Sequence, residues 1–423
     1  MSQPISPSGR ATDVLGKIAL VAADIGADEM ALVSEVLRSG TLSGGPMLEQ
    51  FESEMCRMLG TRFAVGVSSG TAGLHLALLS AGVTDGDLVL TSPFSFVASA
   101  NVVLYERAAP IFVDIDPLTL NIDASLLGDA LMDLRRGGTA ARSWLPREGI
   151  ATARPPVVKA LLPVHVFGQS APMRTIMAMA CAHGVKVVED ACEALGARHD
   201  GQLAGTFGDA GVFGFFPNKQ ITTGEGGLVA TNSPDCAALC RSLRNQGRDS
   251  DSRWLRYSRL GYNYRLDELS AAVGLAQLRR FDALLASRAR IAAGYNDRLA
   301  GFTDLAPLRI APGTTHMSWF VYVVRFADHV NRDGVMSALE QDGIPSRPYF
   351  PPIHLEPFYR ERFGYREGDF PHAEAAGRSM LALPFHGRLT DAELDLIVDR
   401  LRAAVARNMA RVPPPRAPSS GAR

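Results

Sequence analysis

Five short runs rich in β-branched residues, Phe63 to Val67, Leu88 to Thr91, Pro110 to Val113, Val157 to Leu162 and Val185 to Val188, alternate with apolar stripes at helical spacing. Few folds accept that alternation. A strand followed by a helix and another strand reads as a βαβ unit, and a series of them builds a mostly parallel sheet with helices on its faces, an α/β architecture. The intervening helices carry their own signals. Thr71 to Ser80 (TAGLHLALLS) repeats apolar positions at i, i+3 and i+4 and ends before Gly82, while Pro172 to His183 opens with a proline, whose missing N–H costs nothing there. Ligands in open α/β sheets bind at the carboxyl ends of the strands, so functional residues are expected just after each run.

The rest of the chain bounds the possibilities. At roughly 150 residues per domain, 423 residues make two or three domains. We expect a large domain over 1–285 with an N-terminal arm, a smaller α+β domain over 286–411, and a disordered Pro/Ser/Gly-rich tail over 412–423. Residues 135–156 (RRGGTAARSWLPREGIATARPP) read as a long surface loop inserted in the large domain. An amphipathic stripe from Leu266 to about Ala292 bridges the two domains. With 43 Lys+Arg against 44 Asp+Glu the formal net charge is −1, so nothing draws the chain to nucleic acid or to an anionic membrane. No apolar run approaches the roughly 18 residues of a membrane span and the N-terminus opens polar, which points to a cytoplasmic protein. Five cysteines without paired spacing suit a reducing compartment, and Cys236 with Cys240 lacks the further ligands a metal needs.

Four elements carry chemistry. In Gly211 to Thr231 (GVFGFFPNKQITTGEGGLVAT) the single basic residue, Lys219, lies between an apolar run and a Gly-rich turn. Aromatic neighbours strip hydration from such an amine and make it available as a Schiff-base nucleophile, although a surface lysine in a hairpin fits as well. Upstream, the strand Val185 to Val188 runs into Glu189 and Asp190, where a carboxylate at the strand's end either faces a cofactor or caps the next turn. In Val65 to Leu78 (VGVSSGTAGLHLAL) a strand turns into a helix through Ser-Ser-Gly-Thr, an N-terminus at which Thr71 and Ala72 are placed to hold a phosphate. The same stretch matches G-x-S-x-G, so Ser68 is also a candidate hydrolase nucleophile, with Asp190 and His354 or His386 following in order. Finally, Thr91 to Ala98 (TSPFSFVA) offers Phe94 and Phe96, either for a planar ring or for the core.

In this order the four elements resemble the DegT/DnrJ/StrS family of sugar aminotransferases, which have the fold-type I architecture of pyridoxal-phosphate (PLP) enzymes: a mostly parallel central sheet flanked by helices and a smaller C-terminal α+β domain. The resemblance runs from Ser39–Glu52 (SGTLSGGPMLEQFE) to Leu383–Thr390 (LPFHGRLT). It implies that Lys219 carries PLP as a Schiff base, Asp190 pairs with the pyridine nitrogen, Phe96 stacks on the ring, and Thr71 with Ala72 holds the phosphate. Glu193 stands where the family usually has Gln or His, and Gly214 where many members have a phosphate-binding serine; both are departures. GYNYRL (Gly261 to Leu266) resembles the segment that crosses a homodimer interface, making Asn263 the residue for the partner's phosphate. RPYFPPIHLEPFY (Arg347 to Tyr359) resembles the substrate loop, with Tyr349 and His354 on the sugar nucleotide. The activity so implied is ping-pong transamination from L-glutamate to a nucleotide-linked 3- or 4-keto-6-deoxy sugar. A lysine at position 219 favours this over the deoxysugar dehydration of members that carry histidine there. Aminocyclitols or other cyclic ketones are the alternative acceptors, and a PLP-binding regulator without turnover satisfies the same motifs.

Overall fold

The computed structural model of the chain describes residues 18–149, 156–249 and 256–409. The strands in chain order are β1 (Phe63–Val67), β2 (Leu88–Thr91), β3 (Ala109–Phe112), β4 (Val158–Leu162), β5 (Lys186–Asp190), β6 (Arg198–His199), β7 (Gln202–Leu203), β8 (Ala210–Gly214), β9 (Gly227–Thr231), β10 (Leu305–Pro307), β11 (Thr314–His316), β12 (Tyr322–Phe326) and β13 (Met380–Leu383). Seven of them form one sheet in the order β1-β9-β8-β5-β4-β2-β3. Every neighbouring pair in it is parallel except those of β9, which runs against β1 and β8. The strand–helix alternation predicted this sheet, and β9 departs from it by returning antiparallel along β8 through residues 215–226, a connection that contains no helix.

Local chemistry sets the helix ends. Asp123, Ser233, Asp267, Asn331 and Thr390 each accept a first-turn N–H as N-caps. Glu268, in the helix Glu268–Arg279, caps another helix: its carboxylate accepts the amides of Gly45, Met47 and Leu48 at the start of Pro46–Leu59. The two helices close over Phe51, Met55, Leu266 and Leu275 on one face of the sheet, and Gly70–Ser80 packs with Val65, Val188 and Val212 on the other.

The bridging stripe is two helices that meet at Arg280, Glu268–Arg279 and Phe281–Leu299. Ile291 and Tyr295 of the second join Tyr322, Leu381 and Ile397 in the core of the smaller unit, whose sheet is β10-β12-β13. Ile18 joins that core too, and the Phe385 amide donates to the Leu20 carbonyl, so the start of the described chain packs on the C-terminal unit.

The insertion departs from the expected loop. Ala124–Arg136 runs through Gly137, at φ +71°, into a short helix, Gly138–Arg142. Trp144 and Leu145 pack against the core around Ile111 and Ile176, and the Trp144 indole donates to Asp133 at 3.1 Å. Arg147 makes two bonds to Asp369, of 2.6 and 2.8 Å, tying the insertion to the C-terminal part of the chain. The glycines that suggested a loop serve as turns, and Trp144 with Leu145 anchors the short helix to the large domain. The rest of this insertion, 150–155, and the tail from Val412 lie outside the described residues.

Candidate active site

Sheet register gathers the site. Val67 pairs with Gly227, Gly227 with Gly214, and Asp190 with Val212, so the carboxyl ends of β1, β5 and β8 and the start of β9 share one edge. Side chains alternate along β5, which separates its two acids. Asp190 lines a cavity of about 520 Å³ at that edge. Glu189 points the other way, fully buried, and accepts the amides of Gly205, Phe207 and Gly208.

Asp190 is held from two sides. Ser99 Oγ donates to its Oδ2 at 2.6 Å, and the Cys192 amide donates to its Oδ1 at 3.1 Å. Across the cavity, Lys219 in the β8–β9 connection brings Nζ to 3.9 Å from the centroid of the Phe320 ring and 4.0 Å from Glu193 Oε1. Glu193 is 4% exposed, and its Oε2 accepts the Phe167 amide at 2.9 Å. Burial pushes its carboxyl up to about 7, opposed by the Lys219 cation and that amide.

The third wall is the start of helix Gly70–Ser80. Ser69 and Thr71 line the cavity, and Ser69 Oγ accepts the Ala72 amide at 3.0 Å, so this N–H is already capped. Glycine is required here, because a Cβ on Gly70 would lie 2.7 Å from Cys192 Sγ and one on Gly227 would lie 2.5 Å from the Ser69 carbonyl. At Gly214 a Cβ would stand 3.4 Å from Cys192, an ordinary contact, so space alone does not forbid a serine at this position. Phe96 is 60% exposed at the rim, whereas Phe94 is fully buried between Phe167 and Phe350; two residues of separation and the local turn divide the pair into one rim and one core side chain.

Lys219, Asp190, Glu193, Thr71, Phe96 and Tyr349 therefore come together around one cavity. His354 does not, and its expected role on the substrate is corrected. It is fully buried, with Nε2 3.0 Å from Glu374 and its ring 4.7 Å from that of Phe370; burial lowers its pKa despite the carboxylate. The imidazole is committed to packing. Asn263 is exposed, paired in a bridge with Asn245, and does not line this cavity. Ser68, His354 and His386 do not line this cavity, so the hydrolase alternative is not assembled in it. Three residues escaped the sequence reading: Ser99, Phe320 and Asn218, whose buried Oδ1 has no partner among the described residues. Only Ser99 had a signal, a polar side chain in an apolar helix start.

These groups fit a flat, anionic cofactor with a carbonyl: an amine to hold it, a buried carboxylate facing it, a glycine-floored helix N-terminus, and an unpartnered amide oxygen. Comparisons with known proteins agree. The model of the DegT/DnrJ/EryC1/StrS aminotransferase family matches residues 23–402. The chain is 37% identical over 391 residues to the GDP-perosamine synthase of Caulobacter vibrioides, covering 92% of this chain and 98% of the relative. Among solved structures, DesV of S. venezuelae in complex with a ketimine intermediate shares 33% identity at a TM-score of 0.78, over 91% of this chain and 95% of that one. The PLP-form of the putative sugar aminotransferase Spr1654 from Streptococcus pneumoniae shares 25% identity at a TM-score of 0.81, over 92% and 99%.

Proposed function

The chain belongs to the DegT/DnrJ/EryC1/StrS aminotransferase family, and from that premise we propose that it transfers an amino group from L-glutamate to a nucleotide-linked 3- or 4-keto-6-deoxy sugar, with PLP as cofactor. The observation that carries this reading is the facing pair in the cavity, Lys219 on one side and the doubly held Asp190 on the other.

Bound there, PLP supplies an electron sink for the pair released when a proton leaves carbon next to nitrogen. Lys219 Nζ would hold the cofactor and, when free, would carry a proton from the donor's α-carbon to the cofactor carbon that Nζ had held, and in the second half-reaction from that carbon to the acceptor's. Asp190 holds the proton on the ring nitrogen, and Ser99 keeps that carboxylate in place. The helix start would receive the phosphate at Thr71, which lines the cavity, while the Ala72 amide expected to share that role is held by Ser69. Phe96 stacks from the rim, and Tyr349, beside Asn218, orients the acceptor. Glu193 sets the charge around the amine. We further propose a cytoplasmic homodimer in which exposed Asn263 serves the partner's phosphate site. No helix among the described residues is long and apolar enough to cross a membrane.

The test is the visible spectrum of the purified protein with PLP, before and after L-glutamate. The expected result is a visible band that glutamate abolishes and that Lys219→Ala never forms, followed by conversion of at least one keto-sugar nucleotide in a panel. A Lys219→Ala protein with the same band sinks the assignment.

A further inference from the structure

Helix Phe281–Leu299 presents a buried cation, Arg288, to which the mechanism gives no work. Arg288 is 7% exposed and has no carboxylate partner among the described residues. A buried charge without a counter-ion is costly unless its donors are satisfied. Four backbone carbonyls satisfy them. Nη1 donates to Trp319 and Phe320, both at 3.2 Å, and Nη2 donates to Asn218 at 3.2 Å and to Lys219 at 2.5 Å. Burial lowers the guanidinium pKa to about 10, which leaves it charged at neutral pH.

The two pairs of carbonyls belong to segments about a hundred residues apart, one leading into β12 and the other inside the β8–β9 connection. The first carries the Phe320 ring that lies 3.9 Å from Lys219 Nζ, and the second is the backbone of Lys219 itself. Trp319, in the first segment, holds φ +51°, a conformation that side chains of its size keep only when the surroundings impose it. Only a planar fork with donors on both arms reaches both segments at once, and neither an ammonium nor an apolar side chain reproduces it. Gln220 reinforces the same join, donating to the Glu193 carbonyl at 2.6 Å and to Ser318 Oγ at 3.0 Å.

We propose that Arg288 is a positioning residue for the transamination, fixing the Lys219 backbone to the Phe320 backbone so that the amine is held against the ring and aimed into the cavity. The proposal rests on Lys219 being the cofactor-bearing lysine. Proton transfer by an amine demands placement within a fraction of an ångström, and loss of such placement costs on the order of a hundredfold in rate.

The experiment compares wild type with Arg288→Lys, Phe320→Leu and the double variant. It follows the rate at which the PLP band forms, the circular dichroism of that band, its single-turnover loss with L-glutamate, and the melting temperature. Each single variant is expected to slow band formation and single turnover by about tenfold to a hundredfold, with weakened circular dichroism. The KM for glutamate should stay within about twofold. The double variant should be little slower than the slower single, because both substitutions loosen one contact. Wild-type rates in folded Arg288→Lys, or a lowered melting temperature as its only change, overturn the proposal in favour of a purely structural arginine. Should Arg288→Lys not fold, Phe320→Leu decides: slowed rates support the proposal and wild-type rates overturn it. A wild-type protein that forms no band instead refutes the reading of Lys219.

Discussion

At neutral pH the carboxyl of Glu193 stands close to half protonated, a state that an exposed glutamate never approaches. Burial lifts it from 4.5 to about 7, against the pull of Lys219 Nζ at 4.0 Å and of the Phe167 amide. Such a rise means that the fold disfavours the ionised form by about 3 kcal/mol. Because the folded pKa is the higher one, the stability linked to this group is fully present below pH 4.5 and is lost as pH rises through about 7. Glu193→Gln keeps an oxygen for the Phe167 amide but no longer titrates, so it should gain on wild type by up to about 3 kcal/mol between those limits. The direct assay is difference infrared spectroscopy of the protonated-carboxyl stretch in cofactor-free protein, with Glu193→Gln as the blank, since a group bound on Nζ would change its charge. The signal should fade with a midpoint near 7, and Lys219→Ala, which removes the opposing cation, should move that midpoint higher. A midpoint in the ordinary carboxylate range, or one indifferent to Lys219→Ala, refutes the reasoning.

Three further substitutions test other parts of the structure. Ser99→Ala removes the 2.6 Å bond to Asp190 and should weaken PLP binding about tenfold, the worth of one hydrogen bond to a charged group; an unchanged Kd in a fluorescence titration counts against Ser99 as the holder of that carboxylate. In Gly227→Ala the new Cβ would stand 2.5 Å from the Ser69 backbone, which has no room to retreat, so a loss of about 3 kcal/mol or more is expected in denaturant unfolding. A variant as stable as wild type disproves that close approach. Arg147→Ala breaks an ion pair whose arginine is 47% exposed, so its cost should stay within about 1 kcal/mol by thermal melting, and a much larger loss means that the insertion anchors the C-terminal segment more firmly than its contacts suggest.

Local pattern was enough to place the strands and the site's framework. The runs Phe63 to Val67 and Leu88 to Thr91 are strands over the same residues, and Pro110 to Val113 is displaced by one, to Ala109–Phe112. Periodicity and capping are properties of neighbouring residues, and the rule that sites follow strand ends needs only the strand order. Lys219 and Asp190 were legible on that basis as candidates, and both line the cavity. The tertiary structure alone decided the relations between residues far apart in the chain: Ser99 reaching Asp190 across 91 positions, Phe320 lying over the Lys219 amine, Arg288 joining their backbones, and burial raising the Glu193 carboxyl. The same holds for His354, which the resemblance to the family's substrate loop placed on the substrate and which Glu374 and Phe370 keep in the core. Distance and desolvation arise only when separate segments pack together, and no local pattern of residues encodes them.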